Sequence, residues 1–163
     1  MRDEERDSDS DGQGMIPMQK NEPKPHTVME ALGIETEELT PERVVLKMPV
    51  DGRHHQPFGI LHGGVSVVLA ETAASLGAWM NCDREKETTV GLEINANHIR
   101  PKREGIVTAV AEPLHKGRTT MVWEIRIRDE EERLICVSRC TMAVVPLKKE
   151  KGMVEERFRE GNK

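Results

Sequence analysis

Residues Gln56–Ser75 read QPFGILHGGVSVVLAETAAS. The stretch opens on a proline turn, passes through His62-Gly63-Gly64, and then stays apolar or small apart from the single carboxylate of Glu71. This run predicts one long helix from Gly63 to about Met80. Its small residues, Ala70, Ala73, Ala74, Gly77 and Ala78, allow another backbone to approach closely, as a sheet curled around the helix requires. Val68, Leu69, Thr72, Leu76 and Trp79 supply the bulk. Glu71 and Ser75 stand four apart and so share a helix face.

Gly63 and Gly64 fall at the start of this helix, where unpaired backbone N–H groups and the helix dipole favour negative charge. The N–H of Gly63 can polarise a carbonyl there, and a glycine lets a ligand carbonyl reach the backbone. Glu71, two turns on, can attack that carbonyl or activate water. Each feature has an ordinary reading as well: a solvated acid, a structural histidine, a simple Gly-Gly turn. The nearly apolar surroundings of Glu71 weigh against a purely solvated acid, and the combination points to chemistry. Other chemistries lack their residues. Gly64-Val65-Ser66-Val67-Val68 misses the second glycine of a serine-hydrolase elbow. His54, His55 and His62 have no H-E-x-x-H or cysteine spacing beside them to hold a metal. No phosphate-binding glycine motif is present.

Outward from the helix, Thr27-Val28-Met29-Glu30 has the spacing of a capping box for a short helix stopping at Gly33. Ile34–Leu39 and Arg43–Val50 are predicted strands around the Thr40-Pro41-Glu42 turn. Four more strands are expected at roughly Thr88–Ile99, Gly105–His115, Thr119–Arg128 and Arg133–Pro146. Gly117-Arg118 and Asp129–Glu132 read as hairpin turns. The alternation through Val122-Trp123-Glu124-Ile125-Arg126-Ile127-Arg128 marks a strand with one wet face. The short connections imply antiparallel neighbours. One long helix against such a sheet is an α+β plan.

The 163-residue chain is one domain in length. Residues 1–25 are acidic and rich in Ser, Gly and Pro, and read as a disordered arm. The domain spans 26–147, and 148–163 is a charged tail. The N-terminus lacks the apolar segment of a secretory signal, and no apolar run is long enough to span a bilayer. A net charge of −5 with 2% aromatics argues against nucleic-acid binding. A core of Val, Ile, Leu, Ala and Met with few rings is thin for this size, so a partner subunit is expected to complete the burial. Cys82, Cys136 and Cys140 form no CxxC and read as reduced, cytosolic thiols.

Gln56-Pro57-Phe58-Gly59-Ile60-Leu61-His62-Gly63-Gly64, with Leu69-Ala70-Glu71 and Ala74-Ser75, resembles the hotdog-fold acyl-CoA thioesterases. Within them the chain is similar to the 4-hydroxybenzoyl-CoA thioesterase subgroup that uses a helix glutamate. Gly91-Leu92-Glu93-Ile94-Asn95-Ala96-Asn97-His98 and Pro113-Leu114-His115 extend the likeness to the 1,4-dihydroxy-2-naphthoyl-CoA thioesterases of the menaquinone pathway. The resemblance covers about residues 27–146. It implies a sheet wrapped around one central helix and hydrolysis of an acyl-CoA, with an aryl acyl group favoured.

By the same resemblance, Glu71 is nucleophile or general base, and the Gly63 N–H polarises the thioester carbonyl. Gln56 and His62 orient its carbonyl and sulfur side, and Ser75 faces the acyl ring or the water. Gly91, His98, Ile99, Arg100 and Pro101 line the coenzyme channel, together with His115, Lys116, Gly117, Arg118, Thr119 and Thr120. The resemblance also implies a homodimer or homotetramer with the site at the subunit interface, Gln56 and His62 facing Glu71 of another copy. No cofactor is implied, coenzyme A being part of the substrate. The residues themselves offer one independent sign: His98-Ile99-Arg100-Pro101-Lys102-Arg103 is a basic cluster in an acidic chain, suited to phosphates or to neighbouring carboxylates. A non-catalytic acyl-CoA-binding module and a dehydratase on the same fold are the alternative readings.

Overall fold

Alternation along the last strands fixes which face of the sheet is dry. In β5 (Thr120–Asp129), Met121, Trp123, Ile125 and Ile127 are buried, whereas the residues between them are more exposed. The computed structural model describes residues 27–147, so the expectations for the arm at 1–25 and the tail at 148–163 lie outside the described residues. The other elements are α1 (Val28–Leu32), β1 (Glu35–Leu39), β2 (Val44–Val50), α2 (Gly63–Met80), β3 (Glu87–His98), β4 (Gly105–Lys116) and β6 (Leu134–Pro146). A short 3₁₀ turn, Gly52–His54, lies between β2 and α2. The two α-helices and six strands match the predicted elements to within a residue or two, whereas the 3₁₀ turn is not among those predicted.

The capping box forms as its spacing predicts. Thr27 Oγ1 accepts from the Glu30 N–H and the Glu30 carboxylate accepts from the Thr27 N–H. Gly33 ends α1 in the left-handed region, at φ 63°. The Asp129–Glu132 turn is held by its first residue. The nearly buried Asp129 carboxylate accepts from the Glu131 and Arg133 N–H groups and pairs with the Arg133 guanidinium.

The six strands form one antiparallel sheet in the order β1-β2-β4-β5-β6-β3. Sequence adjacency misplaces one strand here. β3 and β4 are consecutive in the chain yet are not neighbours; β3 pairs with β6 and β4 with β2. The connection at 99–104 is not a hairpin turn. The Ile99 and Arg100 N–H groups both donate to the Ile135 carbonyl, and the Lys102 carbonyl accepts from Leu61. The segment is thus pinned across the strand ends, leaving β3 as one edge of the sheet.

The sheet curls around α2, which contacts all six strands. Leu69, Ala70, Ala73, Ala74, Gly77 and Ala78 are buried against Leu46, Met48, Val107, Ala109, Trp123 and Ile125. The small residues do what their sequence suggested. A Cβ on Gly77 would stand 2.4 Å from Cη2 of the fully buried Trp123, so the indole occupies the space a side chain would take. The three cysteines are free. Among the described residues, no helix is long and apolar enough to cross a membrane.

Candidate functional site

The candidate residues fall into two groups. The first gathers around Glu71. Its carboxylate is half-buried and makes no hydrogen bond or ion pair within the described residues. It lies over the backbone of β3 at Gly91, where a Cβ would come within 2.6 Å of Oε1. The ladder to β6 is irregular between Gly91 and Glu93. A side-chain-free position at an irregular point of an edge strand thus seats the acid. Beneath it, the Cys140 thiol is fully buried and its pKa is pushed up to about 11, by burial first and then by the charges of Glu71 and Glu93.

Glu71 lines a cavity of about 650 Å³ together with Val68, Thr72, Ser75, Leu76 and Trp79 of α2. Thr88 and Thr89 of β3 and Thr27, Val28 and Met29 at the start of the domain complete the lining. That volume is in the usual range for a small-molecule site. The Ser75 hydroxyl has only a long contact, 3.9 Å, to the Met142 sulfur, whereas Thr72 Oγ1 donates to the Val68 carbonyl at 2.7 Å. The sequence reading named Ser75 but not the rest of this lining. The four-residue spacing that joined Glu71 to Ser75 runs one step further to Trp79 and could have found it.

The second group sits at the start of α2. His62 is the N-cap: its Nδ1 accepts from the Gly64 N–H at 2.9 Å. A ring nitrogen that accepts carries no proton, so the neutral imidazole holds its proton on Nε2, as a donor. No described residue accepts the Gly63 N–H. The His98 ring lies against Gly63, with Nε2 2.6 Å from where a Cβ would be, so only glycine leaves room for it. Gln56, Gly63, Ser66, His98, Ile99, Arg100 and Pro101 line a second cavity of about 330 Å³. Neither the Gln56 side-chain amide nor the His98 ring has a hydrogen-bond partner among the described residues.

Of the basic cluster, Lys102 pairs with Glu130, and its side chain is only 12% exposed. The Glu130 carboxyl is held below its usual range, chiefly by Lys102. Arg103 donates to the Gly59 carbonyl and Arg100 to that of Leu134, which leaves His98 and Arg100 facing the cavity.

Within one chain the two groups stay apart. Gly63 and Glu71 are separated by eight residues of helix, about 12 Å of rise. The hairpin turn carrying His115, Lys116, Gly117, Arg118, Thr119 and Thr120 belongs to neither cavity. Thr119 accepts from Val144, while Ile99 and Arg100 bind Ile135, nine residues away on β6. The turn and the basic loop are thus about 30 Å apart along the strand. In that turn Lys116 is paired with Glu42, and the His115 ring folds over Gly117. Gly91, which the resemblance assigned to the coenzyme channel, lies under the acid.

The sequence profile of the Thioesterase superfamily matches residues 58–136. The chain is 62% identical over 120 residues to the putative esterase ComA2 of Bacillus subtilis, covering 74% of this chain and 95% of that protein. It is 53% identical over 117 residues to the 1,4-dihydroxy-2-naphthoyl-CoA hydrolase of Listeria monocytogenes, covering 72% and 94%. Among solved structures it is similar to a mutant of thioesterase PA1618 from Pseudomonas aeruginosa. The TM-score is 0.72 at 50% identity, covering 74% of this chain and 87% of that one.

Proposed function

The chain belongs to the thioesterase superfamily, and we propose that it hydrolyses aryl-CoA thioesters in the cytoplasm, without a cofactor, through Glu71 and the amide of Gly63. One observation carries this reading: a carboxylate with no hydrogen-bond or ion-pair partner among the described residues, seated on Gly91 at the wall of a largely apolar cavity. Even half-burying a carboxylate without a counter-charge carries a cost, and its retention is explained if the substrate is what it meets. A thioester needs little activation. The Gly63 N–H, at the positive end of α2, stabilises the oxyanion as the carbonyl is attacked. Glu71 either attacks the carbonyl carbon itself or takes a proton from the attacking water. In the first route an acyl-enzyme anhydride forms as the thiolate leaves, and water then cleaves it. In the second, water adds directly and the thiolate leaves from the tetrahedral intermediate. His62, with its proton on Nε2, and Gln56 are donors suited to the carbonyl and sulfur. Arg100 supplies positive charge, and the His98 ring a hydrogen-bonding nitrogen, for the phosphates of coenzyme A.

The working unit is a homodimer or a larger even assembly. The 12-residue edge strand β3 exposes Val90 and Leu92 and offers unpaired backbone groups to a second copy. Pairing there juxtaposes the acid of one protomer with the Gly63 corner of another, uniting the two groups that a single chain separates.

The test is a screen of aryl-, short- and medium-chain acyl-CoAs with thiol release as readout, run on the wild type and on Glu71→Ala. Aryl-CoA turnover is expected, and a loss of roughly 10²- to 10⁴-fold in kcat in the variant, with acyl-CoA binding retained. Near-normal turnover by Glu71→Ala removes Glu71 from the chemistry. Binding without turnover by the wild type returns the acyl-CoA-binding module, and water loss from a 3-hydroxyacyl thioester returns the dehydratase.

The family's 1,4-dihydroxy-2-naphthoyl-CoA hydrolases include the named Listeria relative. The cavity beside Glu71 suits such a group: it is mainly apolar, with the Ser75 hydroxyl one turn along the helix held only by its long contact to the Met142 sulfur.

A further inference from the structure

We infer that Trp79, braced by Arg84 and faced by Met29, ends the acyl cavity and sets the longest acyl group the enzyme accepts. The inference rests on the reading of Glu71 as the hydrolytic carboxylate. Glu71, Ser75 and Trp79 recur at intervals of four, so one face of α2 presents all three, and all three line the same cavity. Eight residues separate the acid from the indole, about 12 Å along the helix axis. An acyl group whose carbonyl meets Glu71 and which runs along this face passes Ser75 midway and ends against Trp79.

The end wall is built from fixed parts. Trp79 belongs to the last turn of α2, and the Arg84 guanidinium lies 4.5 Å from its ring centroid. Such a cation–π contact restrains a half-exposed indole that would otherwise swing aside. Met29 comes from α1, a single short helix fastened at one end by the Thr27–Glu30 capping box and at the other by Gly33. The Ile34 N–H bonds back to the Met29 carbonyl, which ties that residue to the start of β1. The substrate class that fits is a short, mainly apolar acyl group, such as one or two fused rings. A hydrogen-bonding substituent is welcome at the level of Ser75, and long-chain fatty acyl groups are excluded.

The experiment measures kcat/KM over straight-chain acyl-CoAs of increasing length and over benzoyl- and naphthoyl-CoA. It compares the wild type with Trp79→Ala, Trp79→Leu and Arg84→Ala. Opening the wall is expected to raise the long-to-short ratio of kcat/KM by tenfold or more in Trp79→Ala, because a methylene with room to bury is worth about that much in an apolar pocket. Arg84→Ala is expected to move the ratio in the same direction by a smaller factor. A merely structural Trp79 would lower stability and overall rate while leaving the ratio alone. Trp79→Leu keeps an apolar side chain and carries the test if the alanine variant fails to fold. An unchanged ratio in the folded variants, beside an active wild type, overturns the inference and leaves the hydrolase standing. A wild type that hydrolyses none of the series overturns both.

Discussion

Gly91→Ala separates the position of the acid from its presence. Gly91 is not in the left-handed region, so alanine is conformationally acceptable there. What it cannot do is share space with Glu71, whose Oε1 lies 2.6 Å from the new Cβ. Ordinary carbon contacts begin near 3.5 Å, so the carboxylate must withdraw by about 1 Å. The carboxylate is the flexible end of a long side chain without a hydrogen-bond or ion-pair partner among the described residues, so the withdrawal costs little stability. Catalysis is less tolerant, since a misplacement of about 1 Å can lower the rate by about 10². The expected result is a kcat down by roughly that factor, a KM within about threefold of wild type and a melting temperature within about 2 °C. Thiol release under saturating acyl-CoA gives the first two quantities and calorimetry the third. Adding Gly91→Ala to Glu71→Ala is expected to cost nothing further, because both changes act through one carboxylate. A Gly91→Ala enzyme with wild-type kcat, or additive losses in the double variant, would refute the placement of the working acid against β3.

Two further expectations concern the scaffold. Gly77→Ala drives a methyl into the Trp123 ring, with contacts of 2.4 to 2.8 Å. Overpacking of about 1–3 kcal/mol outweighs the gain of about 1 kcal/mol in helix propensity, so urea denaturation is expected to show a net loss, and an unchanged midpoint would mean that the core yields there. Cys140, whose pKa is raised to about 11 from 9.0, keeps its proton in the folded state after the unfolded chain has lost it. Its contribution is therefore complete below pH 9 and fades as pH climbs towards 11, by about 3 kcal/mol at most. Cys140→Ala is expected to flatten that alkaline decline in a thermal-melt pH series, and an identical slope in the variant would contradict the assignment.

The sequence made local matters legible and left the long-range ones hidden. The capping box at Thr27–Glu30, the helix beginning at Gly63 and the Asp129 turn are each decided by residues within four positions of one another, and each formed as read. The neighbour of β3 is decided by Ile135 and Leu61, which capture the 99–104 connection from far along the chain, and no turn signal in that connection reports them. The same division holds at the site. Glu71, Ser75 and Gly63 stand out because helix periodicity and a glycine turn are local patterns. That Lys102 is engaged by Glu130 follows only from the folded chain. So does the lodging of His98 against Gly63. A basic run in sequence thus overstates the charge left for a phosphate.

The separation of the two groups has a physical consequence for the enzyme as a whole. In the proposed mechanism the oxyanion donor uses the positive end of α2 and the acid its half-buried seat over β3; on one rigid helix, eight residues apart, they cannot meet a single carbonyl. Moving the acid nearer the N-terminus would place a fixed negative charge where the dipole must instead receive a transient one. It would compete with the oxyanion for the same N–H groups. In the proposed dimer a second antiparallel copy resolves the conflict, because it turns the helix around and would bring the acid of one protomer to the N-terminus of the other. On that proposal assembly and catalysis form a single equilibrium. An added charge on the exposed edge, such as Leu92→Lys, is expected to lower specific activity in step with the dimer fraction seen by sedimentation, with activity recovering as protein concentration rises. A monomer that keeps full specific activity on dilution would show that one chain completes the site alone.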